Sequence, residues 1–373
     1  MPGFLPPLTA ASGALAKFFC GRELGCGILS KCEHIRWKER ALIYTMTLNP
    51  ALDYVMHPLT LDMGFTNRSS SEELHCGGNG INISTLLNEL DVPSIAMGIA
   101  AGFTGDYLLR RLQEKGVALN FVLLDRGYTR INIKLNGIVM TMVNGMGPKI
   151  PEKKVDELLA RMDVVGAGDT LVLTGSIPNS LPEDMYMQIM RRLGGRGIQF
   201  VVDAPGQLLM ESLEAHPFLI KPNNHEVGRI FGVEIEEPEA CMPYAHKLQD
   251  AGARNVIISC GGHGSLLLDE NGAEHVVPTA KIRLVNATGA GDSMVGGFLA
   301  QVTRGADYET ALIFASACGT ATAASKGIAK RSTIDRVVAA LYKKMGRAIP
   351  GTIARDMENN RAREAAAEAA SEK

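Results

Sequence analysis

From Ile43 onward, short runs of almost unbroken apolar residues alternate with stretches of helical spacing, and this rhythm limits the fold more than any other feature. "LIYTMTLNP", "SIAMGIA", "DTLVLTG", "IQFVVDA" and "FLIKPN" read as strands, and "VIISC" and "SLLLD" follow them. Strands that are apolar on both faces must be covered on both faces, which in an alternating chain means helices above and below a parallel sheet. The expectation is a three-layer α/β/α fold with a mostly parallel central sheet. "INISTLLNELDV" has helical spacing, and "TGDYLLRRLQEKG" reads as a helix with Thr104 as its cap and Gly116 as its stop.

Two segments, about 52–75 and 130–145, break the rhythm with short alternating runs. "TRINIKLNGIVMTMV" folds back at Asn136-Gly137, a strong hairpin signal. These segments predict a small β lid over the carboxyl edge of the sheet, within a domain spanning 42–348. The tail at 349–373 ends in "ARDMENNRAREAAAEAASEK", a helix former without an apolar face, and is expected to be a solvated or frayed extension.

Composition narrows the function classes. The net charge is −2, and no Lys/Arg block suggests a nucleic-acid partner. No apolar run reaches the roughly 20 residues of a membrane-spanning helix. The 7 cysteines are scattered and odd in number, which fits free thiols in a reducing cytosol. Residues 1–41 lack any clear period, and Cys20, Cys26, Cys32 and His34 do not have zinc spacing. Lys38-Glu39 can be encoded by AAGGAG, a ribosome-binding sequence, shortly before Leu42, which TTG could encode. The expectation is a native start at Leu42, with the preceding residues non-native or disordered; other codons at those positions would remove it.

Several motifs could carry chemistry. In "LVNATGAGDSMVGGF" a strand end passes through Thr288, Gly289, Ala290 and Gly291 to Asp292 and a helix. Small residues let the backbone approach a ligand, and the helix start offers N–H groups to an anion such as a nucleotide phosphate. Asp292 could accept the proton of an attacking alcohol, kept ionised by the helix end, or it could simply cap the helix. "KPNNHE" puts Asn223 and Glu226 three apart, suited to Mg²⁺ held through water, although a capping box is the simpler reading. "SCGGHG" could hold an adenosine against backbone or be a plain hairpin turn.

"CGGNGIN" is a second glycine loop entering a helix, without the dinucleotide spacing, and its Asn79 and Asn82 offer amides to sugar hydroxyls. Asp53 could pair with hydroxyls or be an ordinary loop acid. Arg130 and Lys134 share one strand face, fit for a phosphorylated substrate or a solvated edge. His57, His75, His225 and His263 have neither zinc nor triad spacing, and Cys76 reads as a packed small residue.

Taken in order, "LNPALD", "GGNGIN", "TRINIKL", "TGSIPNS", "KPNNHE", "SCGGHG" and "ATGAGDS" give the chain a resemblance to the PfkB (ribokinase-like) family of sugar kinases over about residues 42–345. It looks closest to the branch that acts on fructose 1-phosphate or tagatose 6-phosphate. The resemblance implies ATP- and Mg²⁺-dependent phosphorylation of a ketohexose phosphate, fructose 1-phosphate before tagatose 6-phosphate. It implies Asp292 as base, with the amides of Gly289, Ala290 and Gly291 as anion hole. Asn223 and Glu226 would serve the Mg²⁺-nucleotide, with Lys221, Ser259, Gly261, Gly264 and Thr288 around ATP. Asp53, Gly78, Asn82 and Arg130 would hold the sugar phosphate, helped by Lys134. The resemblance also implies a cytoplasmic homodimer joined through the lid. One departure stands out: the branch usually has Lys where Asn79 stands, which would remove a cation from the phosphate site and leave Arg130 with Lys134 or Arg68. A non-catalytic nucleotide- or sugar-binding sensor of the same fold is the alternative from another class.

Overall fold

The computed structural model describes residues 41–137 and 140–371, so the expectation for the first forty residues lies outside the described residues. The strands are β1 (Ile43–Thr47), β2 (Ala51–Pro58), β3 (Ser69–Gly77), β4 (Ser94–Ala101), β5 (Ala118–Leu124), β6 (Arg130–Asn136) and β7 (Met140–Asn144). After these come β8 (Thr170–Thr174), β9 (Gln199–Asp203), β10 (Leu219–Ile220), β11 (Asn255–Ser259), β12 (Ser265–Leu268) and β13 (Glu274–Val277). The helices are α1 (Asn79–Glu89), α2 (Gly102–Glu114), α3 (Glu152–Arg161), α4 (Met185–Leu193), α5 (Gly206–Ser212) and α6 (Asn224–Phe231). They continue as α7 (Pro238–Asp250), α8 (Ala290–Thr303), α9 (Tyr308–Ala323), α10 (Arg331–Lys344) and α11 (Gly351–Ser371).

The central sheet has nine strands in the order β13-β12-β11-β10-β9-β8-β1-β4-β5. All pairs from β11 to β5 are parallel, and β12 and β13 close one edge as an antiparallel meander. Neighbours along each strand serve different cores. Leu173 and Val202 point into one cluster with Tyr186 and Met190. Val172 and Val201 point into the other with Phe298 and Phe314. Each such side chain contributes about 1.5–3 kcal/mol on burial, which is why both faces carry helices.

β2, β3, β6 and β7 form a separate four-stranded sheet in the order β3-β2-β6-β7, built from the two segments that break the apolar rhythm. β6 and β7 pair across the Asn136-Gly137 turn with Asn136 opposite Met140.

Three local expectations need correction. Thr104 lies inside α2, whose cap position is Ala101; its hydroxyl donates to the Thr129 carbonyl at 2.8 Å. Thr104 therefore ties α2 to the start of β6. Leu284 and Val285 form no strand and are exposed. The C-terminal helix α11 is not wholly solvated. Ile353 and Met357, one turn apart, are buried in the core beside α10, and Asn360 Nδ2 donates to Asp335 at 3.0 Å. The apolar contact lies at the front of the helix, ahead of the charged repeat that dominates its sequence. No helix among the described residues is long and apolar enough to cross a membrane.

Candidate active site

The site lies where ligands of open α/β sheets bind, beyond the carboxyl ends of the parallel strands. Two helices start there. α8 follows Gly289 at its N-cap position, whose φ of +82° only glycine adopts without strain, and no side chain caps it. α1 begins after Gly78 and is likewise uncapped by its own N-cap; instead Thr47, at the end of β1, accepts the Ile81 N–H through Oγ1 at 3.1 Å. Gly289 and Gly291 line the same space as Asp292, an arrangement that suits an anion, whereas the Ala290 N–H already donates to the Ala287 carbonyl at 3.2 Å, so the expected anion-hole role of Ala290 would need that bond to give way.

Asp292 does not cap α8. Its Oδ2 accepts a hydrogen bond from Asn82 Nδ2 at 2.8 Å, and Asn79 lines the same cavity. Asp292 is only 6% exposed. Burial, followed by the nearby charge of Asp203, pushes its pKa up from 3.8 to about 7, against Asn82, Lys221 and Asn79, which favour the ionised form. The expectation of a weak, fully ionised carboxylate is therefore overturned: desolvation outweighs the helix end. A group poised near neutrality is a better proton acceptor than an unperturbed aspartate.

Beneath this carboxylate, Lys221 follows β10 and Asp203 ends β9, with Nζ 3.3 Å from Asp203 Oδ1. Burial disfavours the Lys221 charge, but Asp203, Glu226 and Asp292 outweigh it and raise its pKa. Burial raises the Asp203 pKa despite this lysine. Lys221 Nζ lies 3.0 Å from where a Cβ on Gly291 would stand, so its charge sits against the α8 turn. Asn223 and Glu226 form a complete capping box: Asn223 Oδ1 accepts the Glu226 N–H at 2.9 Å, and Glu226 Oε2 accepts the Asn223 N–H at 2.8 Å. Both residues still line the cavity with Asp203 and Lys221.

The lid contributes the opposite wall. Asp53 on β2 is 8% exposed; Lys134 donates to its Oδ2 at 2.7 Å and Asn132 Nδ2 to its Oδ1 at 2.8 Å. Arg130, Asn132 and Lys134 occupy alternate positions of β6 and so share its inward face. Gly77 opposes Asp53 closely, since a Cβ there would come within 3.1 Å of the carboxyl. Arg130 donates through Nε to the Asn49 carbonyl at 3.2 Å.

Together these residues line a cavity of about 370 Å³ with Gly78, Asn79, Asn82, Thr288, Gly289, Gly291 and Asp292. It shares Asp53, Asn82, Lys134 and Thr288 with a larger space of about 580 Å³ beyond β3, bordered by Arg111, Lys115, Lys326 and Lys330. The chemistry available is an anion-binding helix start, a buried carboxylate near neutrality, a lysine beside the anion, and a polar lid opposite.

Residues 46–334 match the model of the pfkB family carbohydrate kinases. This chain belongs to that family. Its relatives include the 1-phosphofructokinase of Bacillus subtilis, 39% identical over 80% of this chain and 97% of the relative. The D-tagatose-1-phosphate kinase of Bacillus licheniformis is 32% identical over 79% of this chain and 97% of the relative. Among solved structures, phosphofructokinase-2 of Escherichia coli in complex with substrates and products has a TM-score of 0.76 at 25% identity, covering 81% of this chain and 99% of that one. The resemblance read from seven motifs holds, the ribokinase-like fold with it, and the enzyme is a phosphotransferase acting on an alcohol group.

Within this kinase, the predicted site residues Asp53, Gly78, Asn79, Asn82, Arg130, Lys134, Lys221, Asn223, Glu226, Thr288, Gly289, Gly291 and Asp292 meet in one cavity. Ala290 lies between the last glycine pair, as the first residue of α8. Asn79 lines the cavity together with Asp292 and Asn82. Ser259 bridges to Asn223 at the end of β11. Gly261 and Gly264 shape the β11–β12 turn, where Cys260 N–H donates to the Gly264 carbonyl at 2.8 Å, and neither lines the cavities described. Asp203 and Asn132 went unread in the sequence. Asn132 could have been found from its place between Arg130 and Lys134, whereas Asp203 carries only the signal of an acid at the end of an apolar strand.

Proposed function

We propose that this kinase transfers the γ-phosphoryl group of ATP to the free primary hydroxyl of fructose 1-phosphate, giving fructose 1,6-bisphosphate and ADP. One observation carries the reading: a buried carboxylate with a pKa near 7 stands at an uncapped helix start, facing a lid carboxylate across the cavity. The sugar lies between Asp53 and Asp292. As the hydroxyl oxygen bonds to the γ-phosphorus, its proton passes to Asp292 and the bond to the β,γ-bridging oxygen breaks, releasing ADP. The Gly289, Ala290 and Gly291 amides, with Lys221, stabilise charge on the phosphoryl in flight.

The donors present fit a divalent cation held mainly through water. Asp203, Asn223 and Glu226 stand together on the cavity wall, with Glu226 Oε2 and Asn223 Oδ1 engaged in the capping box. Bound there, Mg²⁺ would neutralise phosphate charge on the nucleotide.

The relatives bear names of 1-phosphate ketohexoses, fructose and tagatose alike, which supports a substrate whose existing phosphate is at C1. D-tagatose 1-phosphate is the second reading on that ground. Leu74, Ile133 and Val143 are exposed on the lid face turned away from the site, in register across β3, β6 and β7, and they support a homodimer joined through that face. Free thiols at Cys76, Cys241, Cys260 and Cys318 support a cytoplasmic setting.

ADP release should be measured with the 1- and 6-phosphates of fructose and tagatose. The reading expects fructose 1-phosphate to give the highest kcat/KM. Turnover highest with a 6-phosphate would overturn the substrate, and no ADP from any of them would favour a sensor.

A further inference from the structure

We propose that Glu73 and Lys326 are positioning residues: their ion pair is the contact through which the lid holds the anion turn at the start of α8 in its working shape. The contacts stand without the kinase reading, while their effect on turnover rests on it. Lys326 lies in the loop between α9 and α10, and its Nζ reaches Glu73 Oε1 on β3 at 2.6 Å. Glu73 stands opposite Val55 of β2, and its other oxygen lies 3.0 Å from His75 Nε2, so its carboxylate is held from its own strand as well. Among the described residues this is the one ion pair that joins the four-stranded sheet to the rest of the domain.

The same loop grips the anion turn. The Lys326 carbonyl accepts a hydrogen bond from Asn286 Nδ2 at 3.0 Å, and Asn286 Oδ1 accepts the Thr288 N–H at 3.0 Å. Thr288 leads directly into Gly289, the N-cap residue of α8. Two residues beyond Lys326, Ile328 packs on that glycine, since a Cβ at Gly289 would come 2.8 Å from Ile328 Cδ1. A continuous path therefore runs from the lid carboxylate through Lys326 to Asn286, Thr288 and Gly289. Residues 324–330 belong to no helix or strand, so contacts of this kind set their place.

The Lys326 side chain is 75% exposed, and an ion pair so open to solvent shifts an equilibrium by no more than about five-fold. A contact of that size can break each time the lid opens, yet it biases the turn while the lid is closed.

The test is a double-mutant cycle of Glu73→Gln, Lys326→Met and their combination, assayed with MgATP and fructose 1-phosphate. Each single substitution is expected to lower kcat about three-fold and to leave KM for the sugar phosphate within about two-fold. The double variant should lose no more than either single. Unchanged kcat in the singles, or losses that multiply in the double variant, would overturn the proposal. A raised KM with kcat unmoved would overturn it too and make the pair a plain clamp on the sugar phosphate.

A second measurement needs no turnover. The N–H groups of Thr288 and Ala290 are both hydrogen-bonded within the turn, and in unliganded Glu73→Gln their hydrogen exchange should quicken about three-fold. Unchanged exchange there would overturn the proposal even if the wild type released no ADP, a result that would by itself count only against the kinase substrate.

Discussion

Asp53 and Asp292 line one cavity and are almost equally buried, yet their surroundings differ in kind. Asp53 holds a lysine charge at 2.7 Å and an amide at 2.8 Å, one on each oxygen. Asp292 has the Asn82 amide at 2.8 Å, a lysine that it shares with Asp203, and the repulsion of Asp203 itself. A carboxylate with a cation of its own is held in place and can accept hydrogen bonds from hydroxyls. A carboxylate that burial has pushed toward neutrality can take a proton from one. The pair teaches that like burial has unlike effects: at Asp292 desolvation is the largest cause of the raised pKa, Asp203 adds to it, and a lysine shared with Asp203 offsets only part.

The largest test of that contrast is Asp292→Asn. Removing the proton acceptor should lower kcat by about 10³–10⁴-fold, within the range assigned to general-base catalysis, while ATP still binds. The same substitution should raise stability, with a definite pH sign. A carboxyl whose pKa rises from 3.8 to about 7 on folding gives stability that is complete below about 4 and is lost as the pH rises through 7. Asp292→Asn should therefore melt a few degrees above the wild type at pH 8, less far above it at pH 5 and level with it below about pH 4. Equal melting temperatures at pH 8 would show that the carboxylate sits in the fold without strain.

Next in size is Lys134→Met, which leaves Asp53 buried without its cation. Breaking a buried pair from one side costs about 3–5 kcal/mol, and adding Asp53→Asn should recover much of that loss. In the soluble fraction KM for the sugar phosphate should rise and kcat should change less. A fall in kcat with KM unmoved would place Lys134 in the chemistry. The smallest effect is expected from Asn132→Leu, which removes the second donor to Asp53: a several-fold rise in KM, read from the same assay, with an unaltered acid limb of kcat. A shifted limb would tie Asn132 to Asp292 instead.

Much of this was legible in the sequence because it depends on local pattern. Unbroken apolar strands require helices on both sides, and alternation around Asn136-Gly137 requires a separate two-sided sheet. Small residues before Asp292 mark a turn into a helix whatever lies around them. What escaped depends on distant partners. The charge state of Asp292 is set by burial and by Asp203, 89 positions away by the numbering. Asp203 itself reads as a strand end until β10 brings Lys221 beside it. Asn79 reads as a missing cation at the sugar phosphate, and only the convergence of α1 and α8 brings it into one cavity with Asp292. The helix at the C-terminus reads as solvated because the charged repeat hides Ile353 and Met357 in its first two turns.

The central claim is that one aspartate is poised near neutrality and does the proton transfer. The pH dependence of kcat for the wild type, at saturating MgATP and sugar phosphate, tests it most directly. The account predicts an acid limb with its midpoint above that of an unperturbed aspartate, falling about ten-fold per pH unit below it and retained in Lys134→Met. A kcat that stays level from pH 8 down to pH 5.5 would contradict it.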